Sequence, residues 1–289
     1  MGFTINTNTA SNNAYRNLTL NQNAQSKSLE KLSSGLRINR AADDAAGLAI
    51  SEGLKNQVSG MTVAARNAQD GISVIQTAEG ALTEVHSILN RVRDLAVQSG
   101  NDSNNPDSRA AIKTEVAALG AELTRIGTST NFNGIDLLTA AAADPTTGGL
   151  TFQIGAGGTG ANDQINIKLV DITAIGTTVS NFAAAADADL TGFGSSEAAL
   201  ETIKGLDDDI KAISTARSDL GASQNRLEST IKSLNVSIEN LSAAGSRIRD
   251  TDMASEMANF TRSQILSQAG TAMLSQANQM NSGVMQLLQ

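Results

Sequence analysis

The sequence predicts a mainly α fold: a long, coiled-coil-like helical bundle drawn from both ends of the chain, with a small β-rich insert between them. Three observations predict it. Apolar residues recur at steps of three and four over long stretches of both halves, the spacing that lines one face of a helix. The apolar content is Ala, Leu, Ile and Val, with six Phe, one Tyr and no Trp, which suits helix-on-helix seams better than a compact globule. Between about Asn131 and Ser195 the pattern changes to Gly, Thr and Ala with short alternating runs.

Residues 1–43 read as an amino-terminal helix with a connector. Leu18, Leu29, Leu32 and Leu36 share a helical register, but Gln22 and Gln25 fill positions between them and seven Asn fall within the first 25 residues. Each Asn lowers helix propensity relative to Ala by roughly half a kcal/mol, so this helix is expected to order only when a partner seam covers it. Residues 44–139 read as a helical hairpin. Its first arm, about Asp44 to Ser99, would run on the order of 80 Å. It carries a sustained heptad seam through Leu54, Val58, Met61, Ala65, Ala68, Ile72, Ile75, Ala78, Leu82, Val85, Leu89, Val92 and Ala96. The three-and-three step at Ile72, Ile75 and Ala78 resembles a stammer. SGNDSNNPDS, Ser99 to Ser108, breaks the helix with Gly100, its Asn residues and Pro106. Ile112, Val116, Leu119, Leu123 and Ile126 then restart the period.

Residues 140–196 read as the short β-rich insert, with strands at LTFQI, Leu150 to Ile154, and QINIKL, Gln164 to Leu169. Residues 197–250 return to helix, where Leu227, Ile231, Leu234, Ile238 and Leu241 step by four and three. Residues 251–289 read as a carboxyl-terminal helix. Its narrow stripe comprises Leu266, Ala269, Met273, Ala277, Met280, Val284 and Leu287.

Charge sets the two ends apart. From Met1 to Ser26 the only charged side chain is Arg16, and from Ser263 to Gln289 there is none. Such segments can be buried on every side without the cost of desolvating an ion. Both ends are therefore expected deep in an assembly of copies of this chain. The assembly seam is assigned to Leu18, Leu29, Leu32, Leu36, Leu266, Met273, Met280, Val284 and Leu287.

Composition excludes much else. Without Cys there is neither a disulfide framework nor a thiolate metal site. The single His86 rules out the two-histidine zinc motif, and as a seam-flanking residue it is assigned no role. A net charge of −8 with no Lys/Arg cluster argues against nucleic acid. No apolar run of about 18 residues exists, so no membrane insertion is expected. The first residues, MGFTINTNTASNNAYRN, lack the charged and apolar regions of a secretory signal, so any route out of the cell is expected to use no cleaved signal. Gly155, Gly157 and Gly160 spell a G-x-G-x-x-G, but strand alternation follows where a phosphate-binding loop must open a helix. A glycine-rich turn between strands is expected instead. Asp207, Asp208 and Asp209 are consecutive on a helix, point about 100° apart and cannot converge on one ion. No catalytic residue, cofactor or metal is expected.

The stretch LEKLSSGLRINRAADDAAGLAISEGLKNQV, Leu29 to Val58, resembles the amino-terminal signature of bacterial flagellins. The resemblance continues through Arg66 to Asn101, FNGIDLL at Phe132 to Leu138, and RIRDTDMASEMANFTRSQILSQAGTAMLSQANQ, Arg247 to Gln279. It implies that residues 1–43 and 251–289 form an inner-tube domain, that 44–139 and 197–250 form an outer-tube domain, and that 140–196 face solvent, too short for large outer domains. It further implies a subunit of the flagellar filament, exported unfolded through the flagellar type III apparatus and polymerised outside the cell for motility. The implied partners are other copies of the chain, a flagellar export chaperone, and the filament cap and hook–filament junction proteins.

Arg91, Leu95 and Glu115 match the patch through which many flagellins engage Toll-like receptor 5. A surface Arg–Glu pair worth under ~1 kcal/mol explains the charged two equally well. A hook–filament junction protein shares such termini, though the unbroken DTDMASEMANFTRSQIL block resembles flagellin proper. A surface adhesin using the insert would need a ligand platform, and core packing accounts for its aromatic residues Phe152, Phe182 and Phe193.

Overall fold

The computed structural model describes residues 8–140, 142, 149–184 and 192–286, with side chains as far as residue 279 except that of Ala161. The elements in order are α1 (Thr9–Ser34), α2 (Ala45–Ser99), α3 (Pro106–Ser129), β1 (Asn131–Phe132), β2 (Ile135–Asp136), β3 (Leu150–Gln153), α4 (Gly160–Asp163), β4 (Gln164–Ile167), α5 (Ile172–Ala184), α6 (Ser196–Arg249) and α7 (Met253–Gln286). They divide into two compact units, Met1–Val58 with Glu239–Gln289, and Ser59–Ile238.

The first unit joins the two ends of the chain. The Asn8 side chain accepts from Ser11 N at 2.9 Å and starts α1, and Gly35, at φ 73°, stops it in the left-handed conformation that favours glycine. The connector then pairs with the α6–α7 junction. Leu36 bridges Asp250, Arg37 N donates to Arg249 O at 2.6 Å, and Thr251 N donates to Gly35 O at 3.0 Å. Ile38 anchors the connector and is almost fully buried. Asp43 accepts from the backbone amides of Asn39 and Arg40, and those amides hold its carboxyl below the usual carboxylate range. Asp44 and Asp252 cap α2 and α7 by accepting from Gly47 N at 2.8 Å and Ala254 N at 2.9 Å. Arg249 closes the junction by donating to Glu52 Oε1 at 2.9 Å.

The second unit holds the main core. The heptad seam of α2 is buried as its spacing predicts, from Ala68 through Ile75, Leu82 and Leu89 to Ala96. Facing it, α6 contributes Leu206, Ile213, Leu220 and Leu227 at intervals of seven, and α3 adds Ile112, Val116 and Leu123. The expected break between α2 and α3 is in place, with Asn105 accepting from Ser108 N at 2.7 Å and Pro106 in the first turn of α3. The two strands foreseen in the insert form the antiparallel hairpin β3–β4, in register from Leu150 opposite Ile167 to Gln153 opposite Gln164.

Two larger features were not foreseen, besides the single helical turn α4 between β3 and β4. Asn133 (φ 51°) and Gly134 (φ 78°) turn the short hairpin β1–β2. The second is α5, whose ITAIGTTVSNFAA is rich in residues of modest helix propensity. Packing overrides propensity there. Ile172, Ile175, Val179 and Ala183 are buried, and Asp171 caps the helix by accepting from Thr173 N at 2.9 Å.

Candidate assembly surface

Within the first unit α1 and α7 lie antiparallel. Asn8 Nδ2 donates to Ala277 O at 3.0 Å, Leu18 packs over Gly270, and Lys31 stands 3.9 Å from Glu256. The face that α1 turns inward runs through Ser11, Ala14, Leu18, Asn21, Gln25, Ser28 and Leu32, and that of α7 through Glu256, Phe260, Ser263, Ser267, Gly270, Leu274 and Ala277. Both step by three and four, as a knobs-into-holes seam requires. Most members are small or polar, so the helices approach closely while burying few large apolar groups.

This register within the pair does not follow the leucines assigned to the assembly seam on α1. Ser28 is buried, whereas Leu29 is 57% exposed. Leu18 is buried, and Leu32 and Leu36 are half-buried. On α7 the expected apolar stripe lies about a quarter turn from the face covered by α1, at 100° per residue. Leu266 is 45% and Met273 66% exposed. Met280 and Val284 belong to α7 but their side chains lie outside the described residues, as does Leu287 altogether. Sequence reasoning passed over the stripe of Ser263, Ser267 and Gly270. Its only signal was small residues at heptad spacing.

The uncovered large groups of this unit include Tyr15, Leu20 and Leu29 on α1, and Met253, Met257, Ile265, Leu266 and Met273 on α7. An open groove along α7 is lined by Met257, Ala258, Thr261, Arg262, Ile265 and Leu266. Burying such side chains is worth about 1.5–3 kcal/mol each. The only charges on α7 are Glu256 and Arg262, so the rest of the helix can enter a dry contact without desolvating an ion.

The other sequence candidates lie in the second unit. Arg91 donates to Glu115 Oε1 through Nε at 2.9 Å and Nη2 at 2.7 Å, an exposed pair tying α2 to α3. Leu95 does not join them at the surface, because it is 2% exposed within the core. The glycine-rich turn between β3 and β4 closes on Asp163, whose backbone carbonyl accepts from Ile154 N at 2.7 Å and whose carboxylate accepts from Thr159 N at 2.9 Å. That carboxylate fills the space a side chain at Gly155 or Gly157 would need. On α6, Asp207 accepts from Arg93 Nε at 2.6 Å, a bond that lowers the Asp207 pKa and raises that of Arg93. Its half-buried neighbour Asp209 is pushed up, first by burial and then by Asp208. Among the described residues no three His, Cys, Asp or Glu side chains stand close enough to hold a metal ion. No helix among them is long and apolar enough to cross a membrane.

Comparison with known proteins bears on the whole chain. A family model described as the bacterial flagellin N-terminal helical region matches residues 5–143, and one described as the C-terminal helical region matches 203–288. A flagellin of Halalkalibacterium halodurans is 51% identical over 284 residues, covering 98% of this chain and 99% of that one. A flagellin of Bacillus subtilis is 48% identical over 306 residues with the same coverage. The flagellar filament 31.3 kDa core protein of Treponema maltophilum is 45% identical over 271 residues, covering 92% of this chain and 93% of that one. The crystal structure of Bacillus cereus flagellin aligns with a TM-score of 0.46 at 29% identity, covering 58% of this chain and 88% of that one.

Proposed function

This chain belongs to the bacterial flagellins and is a structural subunit of the extracellular flagellar filament, and we propose that it enters the filament by folding its terminal helices against neighbouring subunits. The observation that carries this reading is the division of labour on α7. A small, polar stripe is spent on α1, and the large apolar side chains on either flank of that stripe are left uncovered. A monomer gains nothing from such an arrangement, whereas a polymer covers those flanks. The matched relatives are flagellins and filament core proteins along nearly their whole length, which leaves the junction-protein and adhesin alternatives unsupported.

The test is the paired change Leu266→Asp and Met273→Asp. It places two charges on the uncovered flank and leaves the α1-facing stripe and the core of the second unit alone. The circular dichroism of the monomer should be unchanged, and seeded elongation should be lost. Normal filaments from this variant would sink the proposal.

The same flank supports contacts with an export chaperone before secretion, and with the filament cap and junction proteins outside the cell. Pull-downs comparing the intact chain with one lacking residues 251–289 should lose all three, and an undiminished pull-down removes that partner from the account. For Toll-like receptor 5 we propose the exposed Arg91 and Glu115 as the contact, with Leu95 packing beneath them. Arg91→Ala should lower activation of receptor-bearing cells roughly tenfold, and unchanged activation would discard the assignment.

A further inference from the structure

Five of the seven methionines stand at 253, 257, 273, 280 and 285. The three whose side chains are described, Met253, Met257 and Met273, are 47%, 50% and 66% exposed. Met61 on α2, by contrast, is half-buried. Met253 and Met257 lie one turn apart on one flank of the α1-facing stripe, and Met273 lies on the other flank two turns beyond Leu266. Thioethers thus stand on both sides of the uncovered surface. The chain contains no cysteine, so no thiol competes with them for an oxidant.

We propose that these three methionines form an oxidant-sensitive switch on assembly: a peroxide modifies them in the free subunit, and the product cannot be covered by a neighbour. In the reaction a thioether sulfur attacks one peroxide oxygen, the O–O bond breaks as the S–O bond forms, and the departing hydroxide takes the proton from the oxygen now on sulfur and leaves as water. Sulfur loses two electrons and the peroxide gains them. The product sulfoxide is polar, accepts hydrogen bonds and is chiral, so a flank that was apolar presents an acceptor that a dry contact leaves unpaired. The filament would protect what the monomer exposes. Because sulfoxides are reduced enzymatically, the block is reversible. The inference rests on the assembly surface proposed above.

The experiment uses the intact chain. Monomer and preformed filaments are treated with hydrogen peroxide, oxidation is mapped by peptide mass spectrometry, and monomers are then offered to filament seeds. Oxidation at the three positions should outpace that at Met61 in the monomer and slow roughly tenfold or more in the filament, and treated monomer should elongate seeds roughly tenfold more slowly than untreated monomer. The variant Met253→Leu, Met257→Leu, Met273→Leu keeps shape and apolarity, and treatment should slow its elongation far less than that of wild type, the remainder coming from the thioethers left at Met280 and Met285. The switch is overturned by treated wild type that elongates normally, by equal oxidation in filament and monomer, or by a triple variant inhibited as strongly as wild type. If untreated wild type fails to elongate, the assembly reading itself falls and the switch with it.

Discussion

A methyl group at Gly120 would lie 2.5 Å from Ser180 Oγ and 2.9 Å from Ser180 N, and one at Gly176 would lie 2.7 Å from Thr124 N. These glycines bring α3 and α5 into backbone contact, so the added atom meets main chain that cannot rotate away. Gly120→Ala should therefore destabilise the second unit by about 1–3 kcal/mol, through overpacking. Gly80 is the opposite case. Nothing lies within 4 Å of where its Cβ would stand, so Gly80→Ala should stabilise α2 by about 0.4–1 kcal/mol, through unfolded-state entropy and helix propensity. Urea denaturation of a fragment spanning residues 44–249 compares the two. A stabilising Gly120→Ala would mean that the helices can separate at no cost and that the close approach decides nothing.

At the scale of elements, α2 was legible in the sequence because thirteen apolar seam positions, nine of them larger than Ala, fix one phase of a 3.6-residue period. The phases of α1 and α7 were not. Hydrophobicity on α7 marks the flank through Leu266 and Met273, while the intramolecular contact follows Ser263, Ser267 and Gly270, chosen for smallness rather than apolarity. Likewise a heptad argument cannot separate Ser28 from Leu29 when the pairing helix selects the smaller. The burial of Leu95 was not legible either, since it lies outside the heptad seam yet is buried beside the seam member Ala96. The same uncovered flank predicts how the free subunit is handled. An exposed row of Met, Ile and Leu invites aggregation before secretion, so the export chaperone should hold the segment from about Ser255 to Gln289. Deleting that segment should reduce chaperone capture in a pull-down by roughly tenfold or more, and capture of the shortened chain at the full level would place the chaperone elsewhere.

For the whole molecule, the question is which parts fold without neighbours. A fragment from Asp44 to Arg249 contains all of the second unit, and with it the buried residues of α2, α3, α5 and α6 that make up the main core. It should be soluble, monomeric and strongly helical, and should unfold cooperatively. The terminal helices are differently placed. Ordering a residue costs roughly 1–2 kcal/mol of backbone entropy, and α1 and α7 together hold 26 and 34 residues. Against this, the described part of their mutual seam includes only four large apolar side chains, Leu18, Leu32, Phe260 and Leu274, each worth about 1.5–3 kcal/mol when fully buried. Helical hydrogen bonds return part of the cost, but a helix pair with so thin a seam is marginal in water. Covering Leu266, Met273 and their neighbours in a polymer supplies the missing burial. The intact chain should therefore elongate filament seeds while the trimmed fragment adds to none, even at high concentration. Circular dichroism should report more helix in polymer than in an equal mass of intact monomer, the gain arising from α1 and α7. Limited proteolysis should remove both ends from the monomer, leave a product close to the second unit, and spare the ends in the filament. Filaments grown from the trimmed fragment, or terminal helices already resistant to protease in the free monomer, would overturn this account.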